Sequence, residues 1–358
     1  MRGMMRRRAL LGAAGVGALM LRTGRAASPM VIAESPGASV AGYNMMLCGP
    51  HGGRIDRWGR AVAQGLSGTL ASQTPIVLRT VGGQDGVTGA NRLQTLVVPD
   101  GRTAAMMPGE ALIAFLAGDP RVHFQPGDWI PVIAGLSAPV LVVRGGMRRL
   151  ADPAPIKLAA ASPEAVDLAA ILAFHRLGVA TSPIFGLRGA SLVARAFADG
   201  AVDAVLLSGE DIPADLAPLA AGGGIAIATL GLVDGPDQRR SDRIDADVPT
   251  LHALAIERRN PPLTPPLEAA YQAVAAASRI DFVMVLPHLT TPGTVALWRQ
   301  AATEAIGTPS LRAAAAASAI ELTAAGAAAT AVAPVDVSAA SLLALRAFLF
   351  RHFGWRSS

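Results

Sequence analysis

Short apolar runs alternate with amphipathic stretches along most of this chain. Apolar runs predict strands at 43–48, 75–78, 103–107, 129–136 and 139–143. Between the first of these, helical spacing predicts helices at 56–70, 87–96 and 110–116; in the first helix Trp58, Val62 and Leu66 share one face. The alternation then restarts. A strand at 156–160 leads to a helix from Val166 to Phe174, with Ser162 as its N-cap and Pro163 at its first position. Strands follow at 183–185, 202–207 and 225–230, with helices at 190–197 and 216–221. Residues 234–247 are polar and charged, which predicts a solvated connection. Helices at 267–277 and 294–306 flank an apolar strand at 280–286, residues 310–333 are dominated by alanine, and 337–353 form a closing amphipathic helix. Strands that alternate with helices imply βαβ units and an α/β fold with a largely parallel sheet.

Composition changes the picture at the N-terminus. Arg2, Arg6, Arg7 and Arg8 precede an apolar stretch at 9–21, and small residues around Arg25-Ala26-Ala27 offer a cleavage site. This is the layout of an export signal, cut after Ala26. Arg7-Arg8-Ala9-Leu10-Leu11 is similar to a twin-arginine signal, with Arg6 in place of the usual Ser or Thr. An uncleaved anchor is the alternative, and the apolar stretch is short for a membrane span. The leader holds six of the 31 basic residues and none of the 26 acids, leaving 25 against 26. The mature chain is therefore nearly neutral, and nucleic acid is not expected as a partner. The single cysteine, Cys48, excludes an internal disulfide and reads as a buried small hydrophobe.

Candidate chemistry concentrates in two glycine-rich turns, Cys48-Gly49-Pro50-His51-Gly52-Gly53-Arg54-Ile55-Asp56 and Thr80-Val81-Gly82-Gly83-Gln84-Asp85-Gly86-Val87-Thr88-Gly89. Each follows a predicted strand and opens a predicted helix, where free N–H groups favour an anion. The second turn loosely imitates a dinucleotide fingerprint but lacks the tight Gly-x-Gly start. The six histidines are scattered outside any recognisable hydrolase or metalloprotease motif, so neither enzyme reading is favoured. No cofactor or metal is expected.

Taken in order, these segments resemble the Bug-type extracytoplasmic solute receptors of tripartite tricarboxylate transporters. The resemblance rests on Gly49-Pro50-His51-Gly52-Gly53-Arg54-Ile55-Asp56, the second glycine loop, Pro99-Asp100-Gly101-Arg102-Thr103, and Phe124 to Val132. Asp199-Gly200-Ala201-Val202-Asp203 and Asp247-Val248-Pro249-Thr250-Leu251 extend it. It implies a two-domain periplasmic binding protein of type II-like architecture, with mostly parallel sheets, flanking helices and a hinged cleft. The expected division is a leader at 1–26, a lead-in at 27–42, a discontinuous first domain at 43–143 and 251–358, and a second domain at 144–250. The implied role is capture of a small organic anion of the carboxylate type, by a monomer that delivers it to transporter membrane subunits. A receptor kept for sensing or partner docking is the alternative. In this reading the ligand contacts Gly52, Gly53, Arg54, Gly86, Val87, Thr88, Gly109, Ser162, Arg188 and Ser208. Backbone N–H groups around Gly52, Gly53, Gly86 and Val87 hold a carboxylate, Thr88 and Ser162 add hydroxyls, and Arg54 or Arg188 pairs with it bidentately. A salt bridge from Arg54 to Asp56 or Asp85 is the competing expectation, and Asp56 is expected to be an N-terminal helix acid that stabilises a cap. The chain departs from the family pattern at Arg54 and Ile55, where small polar residues are usual, and at Ala161 to Glu164 and Gly186 to Gly189.

Overall fold

The computed structural model describes residues 42–70, 75–231 and 248–357. The expected leader, nearly all of the lead-in and the polar connection at 234–247 lie outside the described residues. Two mixed sheets form the framework. The first contains β1 (Asn44–Cys48), β2 (Val77–Val81), β3 (Thr103–Met107), β4 (Ile130–Leu136), β10 (Ile280–Leu286) and β11 (Glu321–Ala324), in the order β11-β4-β10-β3-β1-β2. The second contains β5 (Val140–Arg144), β6 (Ile156–Ala159), β7 (Thr181–Ile184), β8 (Ala204–Leu207) and β9 (Gly224–Thr229), in the order β7-β6-β8-β5-β9.

Helices fill the connections: α1 (Arg54–Leu70), α2 (Val87–Leu96) and α3 (Gly109–Ala117) follow β1, β2 and β3, and α4 (Leu168–Arg176), α5 (Ala190–Ala198) and α6 (Ile212–Ala221) follow β6, β7 and β8. The remaining helices are α7 (Leu251–Glu257), α8 (Pro265–Arg279), α9 (Pro292–Ile306), α10 (Pro309–Ala317), α11 (Ala325–Val332) and α12 (Ala339–Phe353).

The expectation of mostly parallel sheets needs correction. β1 runs parallel to β2 and β3, and β6 runs parallel to β7 and β8, but β10 is antiparallel to β3 and β4, and β5 is antiparallel to β8 and β9. The cause is how the chain changes sheets. β4 passes into β5 through only residues 137–139, with no helix between them, so the right-handed βαβ rule does not govern that step. The expected division at 143/144 falls inside β5, which hydrogen-bonds within the second sheet. Ser137 anchors the crossing: its N–H donates to the Arg279 carbonyl (2.8 Å) and its Oγ accepts from the Gly209 N–H (3.2 Å).

Several local expectations shift for identifiable reasons. α4 begins at Leu168, after the turns of 163–167, so Ser162 is not its N-cap; Asp167 occupies that position. α6 starts at Ile212 rather than 216, with Pro213 accommodated in its first turn. α7 is a helix the periodicity does not announce, started by Thr250, whose Oγ1 accepts the Ala253 N–H (3.2 Å). The alanine-dominated stretch divides into α10, β11 and α11, and β11 pairs antiparallel with β4. One continuous apolar core joins the first sheet's α3 to α8, α4 and α12 through buried Leu112, Tyr271, Phe174 and Phe348.

Close packing around β1 fixes the loops that follow it. Cys48 is fully buried, and burial pushes its thiol up to about 12. Gly89 of α2 lies so close that a Cβ there would sit 2.3 Å from Cys48 Sγ. Gly89→Ala is therefore expected to destabilise the protein: overpacking costs about 1–3 kcal/mol, against a helix-propensity gain of about 1 kcal/mol. Gly68→Ala in α1 meets nothing within 4 Å and is expected to stabilise by about 0.5–1 kcal/mol. Urea denaturation of both variants checks the contrast, and equal behaviour would rule out the packing argument.

Candidate functional site

The carboxyl ends of β1, β2 and β3 and those of β6, β7 and β8 face a shared cavity of about 870 Å³. Open α/β sheets place ligand sites at such strand ends. From the first sheet's side the wall is Arg54, Gly83, Gln84, Asp85 and Thr88 of the second glycine turn, Glu110 and Ala114 of α3, and Asp119 to Arg121. From the second sheet's side it is Ala161, Ser162 and Glu164 to Asp167, then Leu187 to Ala190 and Val193, Val205 to Ser208, and Asp215 of α6. Trp355, beyond α12, also lines it and is held by its Nε1–H donating to the Ala117 carbonyl (3.1 Å).

Of the ten expected ligand contacts, the wall brings together Arg54, Thr88, Ser162, Arg188 and Ser208. Gly52, Gly53, Gly86, Val87 and Gly109 do not line it. Their roles are internal to the loops. The Gly52 N–H donates to Asp56 Oδ2 (2.9 Å), the Gly53 N–H to the Pro50 carbonyl (3.1 Å), and the Val87 N–H to Asp85 Oδ1 (3.2 Å). Three amides of the expected carboxylate cradle are thus already occupied. Gly86 has φ +76° and a Cβ there would lie 2.6 Å from Pro108, while a Cβ on Gly109 would lie 2.2 Å from the Ala277 carbonyl. These two glycines permit close packing of the site's supports.

Arg54 takes neither of its expected partners. Asp56 is engaged by the Gly52 N–H and by Arg60 (3.1 Å), and it stands in the first turn of α1 as the N-terminal helix acid anticipated from the sequence. Asp85 pairs with Arg121 (2.7 Å). Arg54 instead reaches Glu110 of α3 (3.0 Å) and Asp281 of β10 (3.3 Å). The Glu110 charge, opposed by burial and helped by Asp281, holds its guanidinium firmly protonated. Asp281 is 1% exposed, and burial pushes its carboxyl up to about 7 despite Arg54, with Glu110 and Glu210 adding repulsion. The cation is divided between two acids, which limits what it gives to either.

Glu210, just beyond β8, clasps α1 from the second sheet's side. It accepts from Trp58 Nε1 (3.1 Å) and pairs with Arg57. Asp167 closes its own loop: Oδ2 accepts the Ala161 N–H (2.8 Å). Burial pushes its carboxyl up to about 6 against the pull of that N–H and of Arg188, and Glu110 pushes the same way as burial. Asp167, Glu110, Asp215 and Glu164 carry no motif that would expose them in the sequence. Only the packing of two loop sets brings them together.

No family model matches the chain, and no curated protein matches it. Solved structures do match. A TctC solute-binding protein from Polaromonas, without ligand, is 18% identical with a TM-score of 0.58, covering 86% of this chain and 98% of that one. MatC from Rhodopseudomonas palustris, solved with bound malate, is 19% identical with a TM-score of 0.53, covering 86% and 98%. The periplasmic binding protein BugD is 17% identical with a TM-score of 0.54, covering 86% and 96%. At these identities the likeness establishes the fold, the two-domain α/β architecture of periplasmic binding proteins.

The raised Asp281 carboxyl has a consequence for stability. Between its ordinary value of 3.8 and about 7, the folded state holds a proton that the unfolded state has released. Stability contributed by this group therefore falls as pH rises through that window, by up to about 1.4 kcal/mol per unit. Asp281→Asn is expected to gain stability relative to the parent from pH 4.5 to pH 7.5. Urea denaturation across that range checks it, and a pH-independent difference would exclude the assignment.

Proposed function

We propose that this protein is an extracytoplasmic solute-binding protein that captures a small carboxylate-bearing solute in the cavity between its two sheets. The single observation that carries the reading is the cavity itself: about 870 Å³, at the strand ends of both sheets, in a fold shared with proteins solved with malate or adipate. The N-terminal leader supports export, with the periplasm as the destination and cleavage after Ala26. The tripartite tricarboxylate transporter is the proposed system, and its membrane subunits are the proposed partners of a monomeric receptor.

Arg188 is the proposed anchor for the carboxylate. It lines the cavity and, unlike Arg54 and Arg121, closes no ion pair among the described residues. It stands just before α5, whose N-terminal residues Gly189 and Ala190 also line the wall and add the partial positive charge of a helix start. Thr88, Ser162 and Ser208 supply hydroxyl donors. Arg54 has a positioning role in this reading, because its charge is matched by Glu110 and Asp281. Closure of the two sides on the solute would follow the hinge pattern of such clamps, with the strand crossing at 137–139 absorbing the change.

A thermal-shift screen of the purified protein against small carboxylates, amino acids included, tests the reading. A true ligand at a hundredfold excess over its Kd stabilises by about 2.7 kcal/mol. Arg188→Ala is expected to weaken that ligand at least tenfold in calorimetry, about 1.4 kcal/mol. If no carboxylate-bearing compound shifts the transition, the capture reading fails.

A further inference from the structure

The charge on the cavity wall is lopsided. Six carboxylates line it against three arginines. Arg121 is shared by Asp85 and Asp119, and Arg54 by Glu110 and Asp281. Glu164, Asp167 and Asp215 are left, and none of them closes an ion pair among the described residues. Glu164 Oε2 is shielded from solvent and has no hydrogen-bond partner there. Against these three acids stands one arginine without an ion pair, Arg188, close enough to Asp167 to favour its ionised form. A solute carrying only carboxylates would enter a partly desolvated site that already holds an excess of negative charge, where like charges are costly.

We infer that the solute carries a cationic nitrogen, an ammonium or guanidinium group, beside its carboxylate, so that its net charge is zero or positive. This rests on the capture reading above and narrows it. The carboxylate lies toward Arg188 and the start of α5, and the cationic nitrogen lies toward Asp167 and Glu164. Asp167 is well placed for this role because one of its oxygens is fixed by the Ala161 N–H, which orients the carboxylate before any solute arrives. Glu164 stands three residues earlier in the same loop, with an acceptor oxygen still free.

Calorimetric titration at pH 7.5 with L-lysine, L-arginine, putrescine and succinate tests the inference on the purified protein. At least one of the two cationic amino acids is expected to bind at least tenfold tighter than succinate. Glu164→Gln and Asp167→Asn should each weaken that amino acid at least fivefold; Asn keeps an oxygen for the Ala161 N–H, and a circular-dichroism melt checks the fold. Succinate binding as tightly as both amino acids, or unchanged amino-acid affinity in both variants, overturns the inference while leaving solute capture intact. Putrescine binding tighter than both amino acids overturns the carboxylate half of the reading and keeps the cation subsite. Absence of binding by all four probes, together with a silent carboxylate screen, overturns both.

Discussion

Arg54 is the cation on which the floor of the cavity depends. It opens α1, yet its guanidinium reaches a helix that follows β3 and a strand nearly 230 residues later in the chain. A buried carboxylate such as Asp281 is tolerable only with a countercharge close by or with a proton. Arg54 supplies the countercharge but shares it with Glu110, so Asp281 keeps a raised affinity for a proton. The arrangement ties α1, α3 and β10 together at the strand ends where the loops must be held still. It also removes Arg54 from the pool of charges free for a ligand.

The rest of the site follows from that allocation. Arg121 is similarly committed to Asp85 and Asp119, so both arginines on the first sheet's side are spent on acids of that same side. On the second sheet's side Glu164, Asp167 and Asp215 stand against Arg188 alone, and none of the four closes an ion pair among the described residues. The clasp of Glu210 on Arg57 and Trp58 and the bond from Gly209 to Ser137 hold the two sides in register across the strand crossing.

The alternation of apolar runs was enough to read the α/β class and most of the elements that carry the loops. β1, α2, β3, α9, β10 and α12 stand where their periodicity puts them, because each buries one apolar face or run against the core. Elements whose residues lack that contrast were not legible. β11 is hidden in an alanine-dominated stretch and exists through its pairing with β4. α7 has a short apolar face and a start visible only from the Thr250 cap. That β5 and β10 run antiparallel to their neighbours was not legible, since strand direction depends on how the chain changes sheets and leaves no mark on composition.

Sequence by itself determined that two glycine turns follow parallel strands and open helices, and that Asp56 stands as an acid in the first turn of the first of those helices. These are local facts, set by backbone freedom and by bonds spanning a few residues. Tertiary structure decided what the turns are for. It spent the N–H groups of Gly52, Gly53 and Val87 inside the loops, gave Arg54 partners 56 and 227 positions away, and gathered Asp85, Glu110, Asp119, Glu164, Asp167 and Asp215 around one cavity. Charge balance in a cavity is a sum over residues brought together by packing, so no stretch of the chain contains it.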